Sequence, residues 1–76
     1  MDWDKLKIFH AVAEAGSFTN ATVVLNISQS AISRQIQSLE EDLNVKLFER
    51  HARGLVLTEN GEYLYKTARE VISKLK

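Results

Sequence analysis

Apolar residues recur along this chain at helical spacing, in blocks separated by glycine, asparagine, serine and threonine. In the first block Leu6, Phe9, Val12 and Ala13 make one stripe, with Asp2 as a capping acid at its start and Gly16 as its stop. Gly16-Ser17 offers a left-handed terminator followed by a hydroxyl cap, so a second helix is predicted from about Phe18, with Phe18, Ala21 and Leu25 facing inward. The β-branched run Thr22-Val23-Val24 leaves a short strand open here on propensity alone, although the spacing favours a helix.

Asn26-Ile27-Ser28 is the next break, and the Ser28 hydroxyl is placed to accept from the free N–H groups of a third helix. Ile32, Ile36, Leu39 and Leu43 fall in one narrow sector of that helix and predict its buried edge, opposite Ser30, Ser33, Arg34 and Gln37. Asn44 is a tolerable left-handed terminator. Beyond it, Val45, Leu47 and Phe48 lead through Glu49-Arg50-His51-Ala52-Arg53-Gly54 into Leu55-Val56-Leu57, which reads as a hairpin with a basic tip. Thr58 opens a last helix in which Leu64, Ala68, Val71 or Ile72, and Leu75 recur to the end of the chain. The predicted order is helix, helix, helix, hairpin, helix.

Composition narrows what such a chain can do. Its 76 residues make one small domain with no room for a large catalytic cleft. It is 45% hydrophobic and 26% charged, as a packed globular fold requires, and it has no cysteine for a disulfide or a thiolate zinc site. Met1-Asp2-Trp3-Asp4 begins no secretory leader, and no apolar run approaches the ~18 residues of a membrane span. Ten basic side chains against ten acidic ones give zero net charge, so an interaction with nucleic acid must rest on where charges sit.

Two short helices joined by a tight turn, the second amphipathic, form a helix-turn-helix, and a hairpin directly afterwards supplies a wing. A helix that reads DNA needs small or flexible polar side chains near its N-terminus, so that its backbone comes close to base edges. Ser28-Gln29-Ser30-Ala31 provides them: Gln29 suits bidentate pairing with adenine, Ser30 and Ser33 suit base edges or phosphates, and Arg34 suits phosphate or guanine, with Gln35 and Gln37 in second rank. Between Ser28 and Leu39 there is one basic residue and no acid, whereas Glu40, Glu41 and Asp42 cluster at the far end. They oppose the helix dipole there and are expected to be a solvated surface outside the groove. In the hairpin Arg50, His51 and Arg53 are expected against backbone phosphates or in the minor groove, with Gly54 easing the reversal.

Catalytic chemistry finds no support, since His10 and His51 lack metal-spaced partners and the serines have neither an elbow motif nor a neighbouring base. Trp3, Phe9, Phe18 and Phe48 are read as core rather than as a base-stacking platform. A winged-helix module that binds protein instead of DNA is the alternative, supported by neutral charge and by Val23-Val24 at the surface.

Ala15-Gly16-Ser17-Phe18-Thr19, Ser28-Gln29-Ser30-Ala31-Ile32-Ser33-Arg34-Gln35-Ile36, Leu39-Glu40, Leu47-Phe48-Glu49-Arg50 and Leu57-Thr58-Glu59-Asn60-Gly61 together resemble the LysR-type transcriptional regulators, in order and over essentially the whole chain. Departures are Ser30 where the family often has proline, Asn44 in place of a usual glycine, and Val23 and Val24 at positions commonly polar or basic. The last two leave exposed apolar surface and fewer phosphate contacts. The resemblance implies a mainly α winged helix-turn-helix over residues 1–58, with its helix-turn-helix at about 18–37 and a two-stranded β wing at about 46–57, followed by a linker helix over 59–76. It implies sequence-specific binding of a dyad-related double-stranded DNA site in the bacterial cytoplasm, by a non-enzymatic regulator associated with the nucleoid. It also implies a homodimer formed by the last helix, through Tyr63, Leu64, Ala68, Val71, Ile72 and Leu75, with higher oligomers for the full-length protein. No cofactor is expected in this chain; a small-molecule co-inducer belongs to an effector-binding domain that would follow it.

Overall fold

Helix α1 (Trp3–Ala15) ends where Gly16 turns the backbone left-handed at φ +77°, its N–H bonded to the Val12 carbonyl at 3.0 Å. The computed structural model describes residues 3–52 and 54–74, so the proposed Asp2 cap lies outside the described residues. Ser17 then caps α2 (Phe18–Leu25), its hydroxyl accepting from the Asn20 N–H at 3.0 Å. The β-branched stretch that left a strand open is helical. The cap, the Thr22 hydroxyl donating to the Thr19 carbonyl at 2.6 Å, and complete burial of Ala21 outweigh its propensity.

Asn26 closes α2 in the left-handed region at φ 57°, and Ser28 caps α3 (Gln29–Leu43) by accepting from the Ala31 N–H at 3.1 Å. Asn44 ends α3 in the same way at φ 56°. Asparagine tolerates this conformation because its short amide bonds locally, and here it stands in for glycine at both ends. Strands β1 (Phe48–His51) and β2 (Gly54–Leu57) pair antiparallel, Phe48 opposite Leu57 and His51 opposite Gly54, and α4 (Glu59–Lys74) follows.

The core is built from the inward stripes of three helices and one residue of the connection to the wing: Phe9 and Val12, Ala21, Ile32, Ile36 and Leu39, and Leu47. Leu43, expected among them, is half-buried at the rim. Of the four aromatic residues assigned to the core, Phe9 is fully buried, Phe18 and Phe48 are half-buried against it, and Trp3 is exposed. Phe48 fixes the wing to the body, its ring 5.3 Å from Phe9 and 6.2 Å from Phe18.

Helix α4 packs against α1 and β2. Its first turn is tied down by the Thr58 hydroxyl, which donates to the Lys46 carbonyl at 2.5 Å and accepts from the Gly61 N–H at 3.0 Å. Farther along, the Tyr65 hydroxyl donates to Glu14 Oε1 at 2.7 Å, and the Tyr65 ring stacks on half-buried His10 at 5.6 Å.

Candidate nucleic-acid interface

The polar face of α3 is presented by the same periodicity that buries its apolar edge. Gln29, Ser30, Arg34 and Gln37 are exposed, and Ser33 is half-buried. Arg34 has no ion-pair partner among the described residues. Ser28 is exposed too, but its hydroxyl already serves the cap and lies 3.2 Å from the Ser30 hydroxyl, so its first role is to start the helix. The Ser30 hydroxyl thereby has a local partner.

Ser33 and Gln37, one helical turn apart, form one wall of an open groove whose other wall is the wing, including Phe48 and Arg50. Gln29 lies at the mouth of an adjoining depression with Thr19, Arg50 and Gly54. Gln35 stands apart. It is half-buried on the flank of α3 that faces Lys7 and Ile8 of α1 and Leu25 of α2, so it does not join the wing-side set.

Strand alternation puts Phe48 and Arg50 on one face of β1, and both meet Phe18 at the start of α2. The Arg50 guanidinium sits 5.0 Å from the centre of the Phe18 ring, a cation–π contact worth about 0.5–1 kcal/mol at an exposed site. That contact holds its charge beside the groove. His51, also exposed, lies 3.6 Å from the Glu49 carboxylate, which offsets any positive charge it carries. Gly54 takes φ +130°, a conformation natural only to glycine. Arg53 lies outside the described residues.

The acidic end of α3 differs from the solvated surface expected of it. Glu40 is largely buried, and its Oε2 accepts from the Leu47 N–H at 2.7 Å and from the Phe48 N–H at 3.4 Å. Asp42 is bonded to Lys5 of α1 at 2.9 Å, and Glu41 alone is plainly exposed with no ion pair among the described residues. Both partnerships join segments distant in sequence, so helical periodicity carries no trace of them.

The apolar positions of α4 also divide. Ala68 is fully buried within the monomer because α4 lies on α1 and β2, and it has no surface left for a second copy; its place in a dimer face is corrected accordingly. Leu64 packs against the core, Ile72 is half-buried, Tyr63 and Val71 are 77% and 40% exposed, and Leu75 lies outside the described residues. Val23 and Val24 project from α2 at 81% and 70% exposure and form apolar surface there. No helix among the described residues is long and apolar enough to cross a membrane, and none of their His, Cys, Asp or Glu side chains form a group suited to a metal ion.

The chain matches the model of the bacterial regulatory helix-turn-helix protein, lysR family, over residues 3–62. It is 49% identical over 69 residues to the uncharacterized HTH-type transcriptional regulator YbhD of Escherichia coli K12, covering 91% of this chain and 22% of that protein. It is 48% identical over 75 residues to the HTH-type transcriptional regulator YofA of Bacillus subtilis 168, covering 99% of this chain and 26% of that one. The chain thus spans about a quarter of the length of these curated relatives. Among solved structures it superposes on BenM_DBD in its complex with catB site 1 DNA with a TM-score of 0.93 and 41% identity, covering 99% of this chain and 84% of that one. These relatives are regulators rather than enzymes, and the family match embraces α1 to α3, the wing and the start of α4. The chain belongs to the LysR family of bacterial regulatory helix-turn-helix proteins.

Proposed function

We propose that this domain binds double-stranded DNA sequence-specifically as the N-terminal module of a LysR-type transcription regulator, with α3 in the major groove and the wing on the backbone or minor groove. The observation that carries this reading is the exposed, acid-free polar face on the N-terminal half of α3, between Gln29 and Gln37, standing beside a wing arginine, Arg50, that the Phe18 ring of α2 holds in place. Gln29, Ser33, Arg34 and Gln37 are the side chains assigned to base edges, and Arg50 to the backbone or minor groove. Supporting it, the structurally similar BenM_DBD is described in complex with DNA.

The working unit is a homodimer on a dyad-related site, paired through the exposed part of α4 around Tyr63 and Val71, with half-sites about one helical turn or a small multiple apart. The chain itself needs no cofactor. A small-molecule co-inducer would act on an effector domain of the longer regulator, which works in the bacterial cytoplasm on the nucleoid.

Fluorescence anisotropy with mixed-sequence duplex DNA across a salt series tests the reading. Affinity is expected to fall with a log–log slope of about 0.9 for each phosphate neutralised. Absence of binding at low salt, or a flat response, favours the alternative of a protein-binding winged helix, for which the exposed pair Val23 and Val24 is the specific support.

A further inference from the structure

Glu40 stands where three parts of the molecule converge. It leaves α3 one turn beyond Gln37, reaches across to the segment preceding the wing, and is only 14% exposed at its side chain. One carboxylate oxygen accepts from two consecutive backbone N–H groups, Leu47 at 2.7 Å and Phe48 at 3.4 Å, while the other lies 4.0 Å from Lys46 Nζ. Leu47 is fully buried, and its own carbonyl accepts from the Thr58 N–H at 3.0 Å, just before α4. Phe48 begins β1 and carries the ring that packs on Phe9 and Phe18. The peptide groups on either side of Leu47 therefore bind α3 through their N–H groups and the entry to α4 through their carbonyls.

An acid beside a groove proposed to meet DNA is unfavourable on charge alone, so its place there suits a function that an anion performs well. A carboxylate receiving two N–H groups is a strong clamp, because a charged acceptor makes hydrogen bonds about twice as strong as a neutral one. We propose that Glu40 is a positioning residue for DNA reading, fixing the wing and Arg50 at a set distance from Ser33 and Gln37 on α3. The proposal rests on the DNA-binding function proposed above and adds to it a residue outside the polar face of α3.

Two conservative variants separate reach from charge. Glu40→Asp keeps the charge but withdraws it by one methylene; Glu40→Gln keeps the reach and an acceptor oxygen but loses the charge. Amide hydrogen exchange by NMR and DNA anisotropy are measured on both. If Glu40 positions the wing, Glu40→Asp speeds exchange at Leu47 and Phe48 by about tenfold or more, the scale of a lost charged hydrogen bond, while Ile32 and Ile36 stay protected. It also weakens DNA binding by about tenfold and lowers the salt slope by about 0.9, one phosphate contact. Glu40→Gln, a neutral acceptor at the same reach, shifts both in the same direction but by less. If the carboxylate merely repels DNA, Glu40→Gln binds more tightly and Glu40→Asp is unchanged, which overturns the proposal. Unchanged exchange at Leu47 and Phe48 in Glu40→Asp overturns it as well, as does altered exchange with unaltered binding. A wild-type chain without salt-dependent DNA affinity sinks the functional reading itself, and the exchange data then decide separately whether Glu40 holds the wing.

Discussion

Gly61 of α4 faces the Leu47 carbonyl so closely that a Cβ at position 61 would collide with that oxygen and press on the Leu57 side chain. The obstacle is backbone, held by the Glu40 and Thr58 hydrogen bonds on either side, so it has little freedom to yield. Glycine is needed here for space, since α4 is regular at this point. Gly61→Ala is expected to destabilise the domain by about 1–3 kcal/mol despite the better helix propensity of alanine, as overpacking does. Urea denaturation checks it, and a gain in stability would show that α4 enters the fold differently.

Phe48 joins the wing to two helices at once, and its half-buried ring makes two aromatic contacts. Phe48→Leu retains most of the apolar volume but forfeits both, at about 0.5–1.5 kcal/mol each beyond area burial. Thermal unfolding should show a loss of that order. The Arg50–Phe18 contact should outlast it, because it depends on a different ring.

Between α1 and α4 the polar contact is pH-sensitive at the alkaline end. The hydrogen bond from Tyr65 to Glu14, then burial, then the Glu14 charge, hold the Tyr65 phenol above its ordinary pKa of 10.0, against an opposing pull from Arg69. A pKa raised in the folded state means that the protonated phenol contributes stability in full below the unfolded value, and that this is lost as pH rises through the folded one. Unfolding midpoints should therefore decline above about pH 10, and Tyr65→Phe should flatten that decline while leaving the neutral-pH fold intact. An identical decline in Tyr65→Phe would assign it to another group.

What the sequence disclosed and what it withheld follow one physical division. Features fixed by neighbours within a turn or two were legible: the Ser17 and Ser28 caps, the stop at Asn44, the stripe Ile32–Ile36–Leu39, and the exposed face carrying Ser30, Arg34 and Gln37. Features made by segments meeting at a distance were hidden. Glu40 looked like part of a solvated acidic end because its partners lie in the loop beyond Asn44, and Asp42 because Lys5 is on another helix. Ala68 repeats at an apolar spacing whether it faces α1 or a second chain, and only the packing of α4 shows that it is consumed within the monomer. Gln35 belongs to the same helix turn as Arg34, yet its direction places it beside α1 and α2.

Whether the N-terminal half of α3 reads base sequence is tested most directly by replacing Gln29, Ser33 and Arg34 together with alanine. All three lie outside the fully buried core, and alanine suits a helix. Anisotropy is measured on a duplex enriched from a random pool by the wild-type chain and on its scrambled counterpart. With about 1–3 kcal/mol of discrimination from each well-made base contact, the variant should lose at least tenfold more affinity for the enriched duplex than for the scrambled one. An equal loss on both duplexes would contradict base reading by α3 and leave it as a phosphate-binding surface.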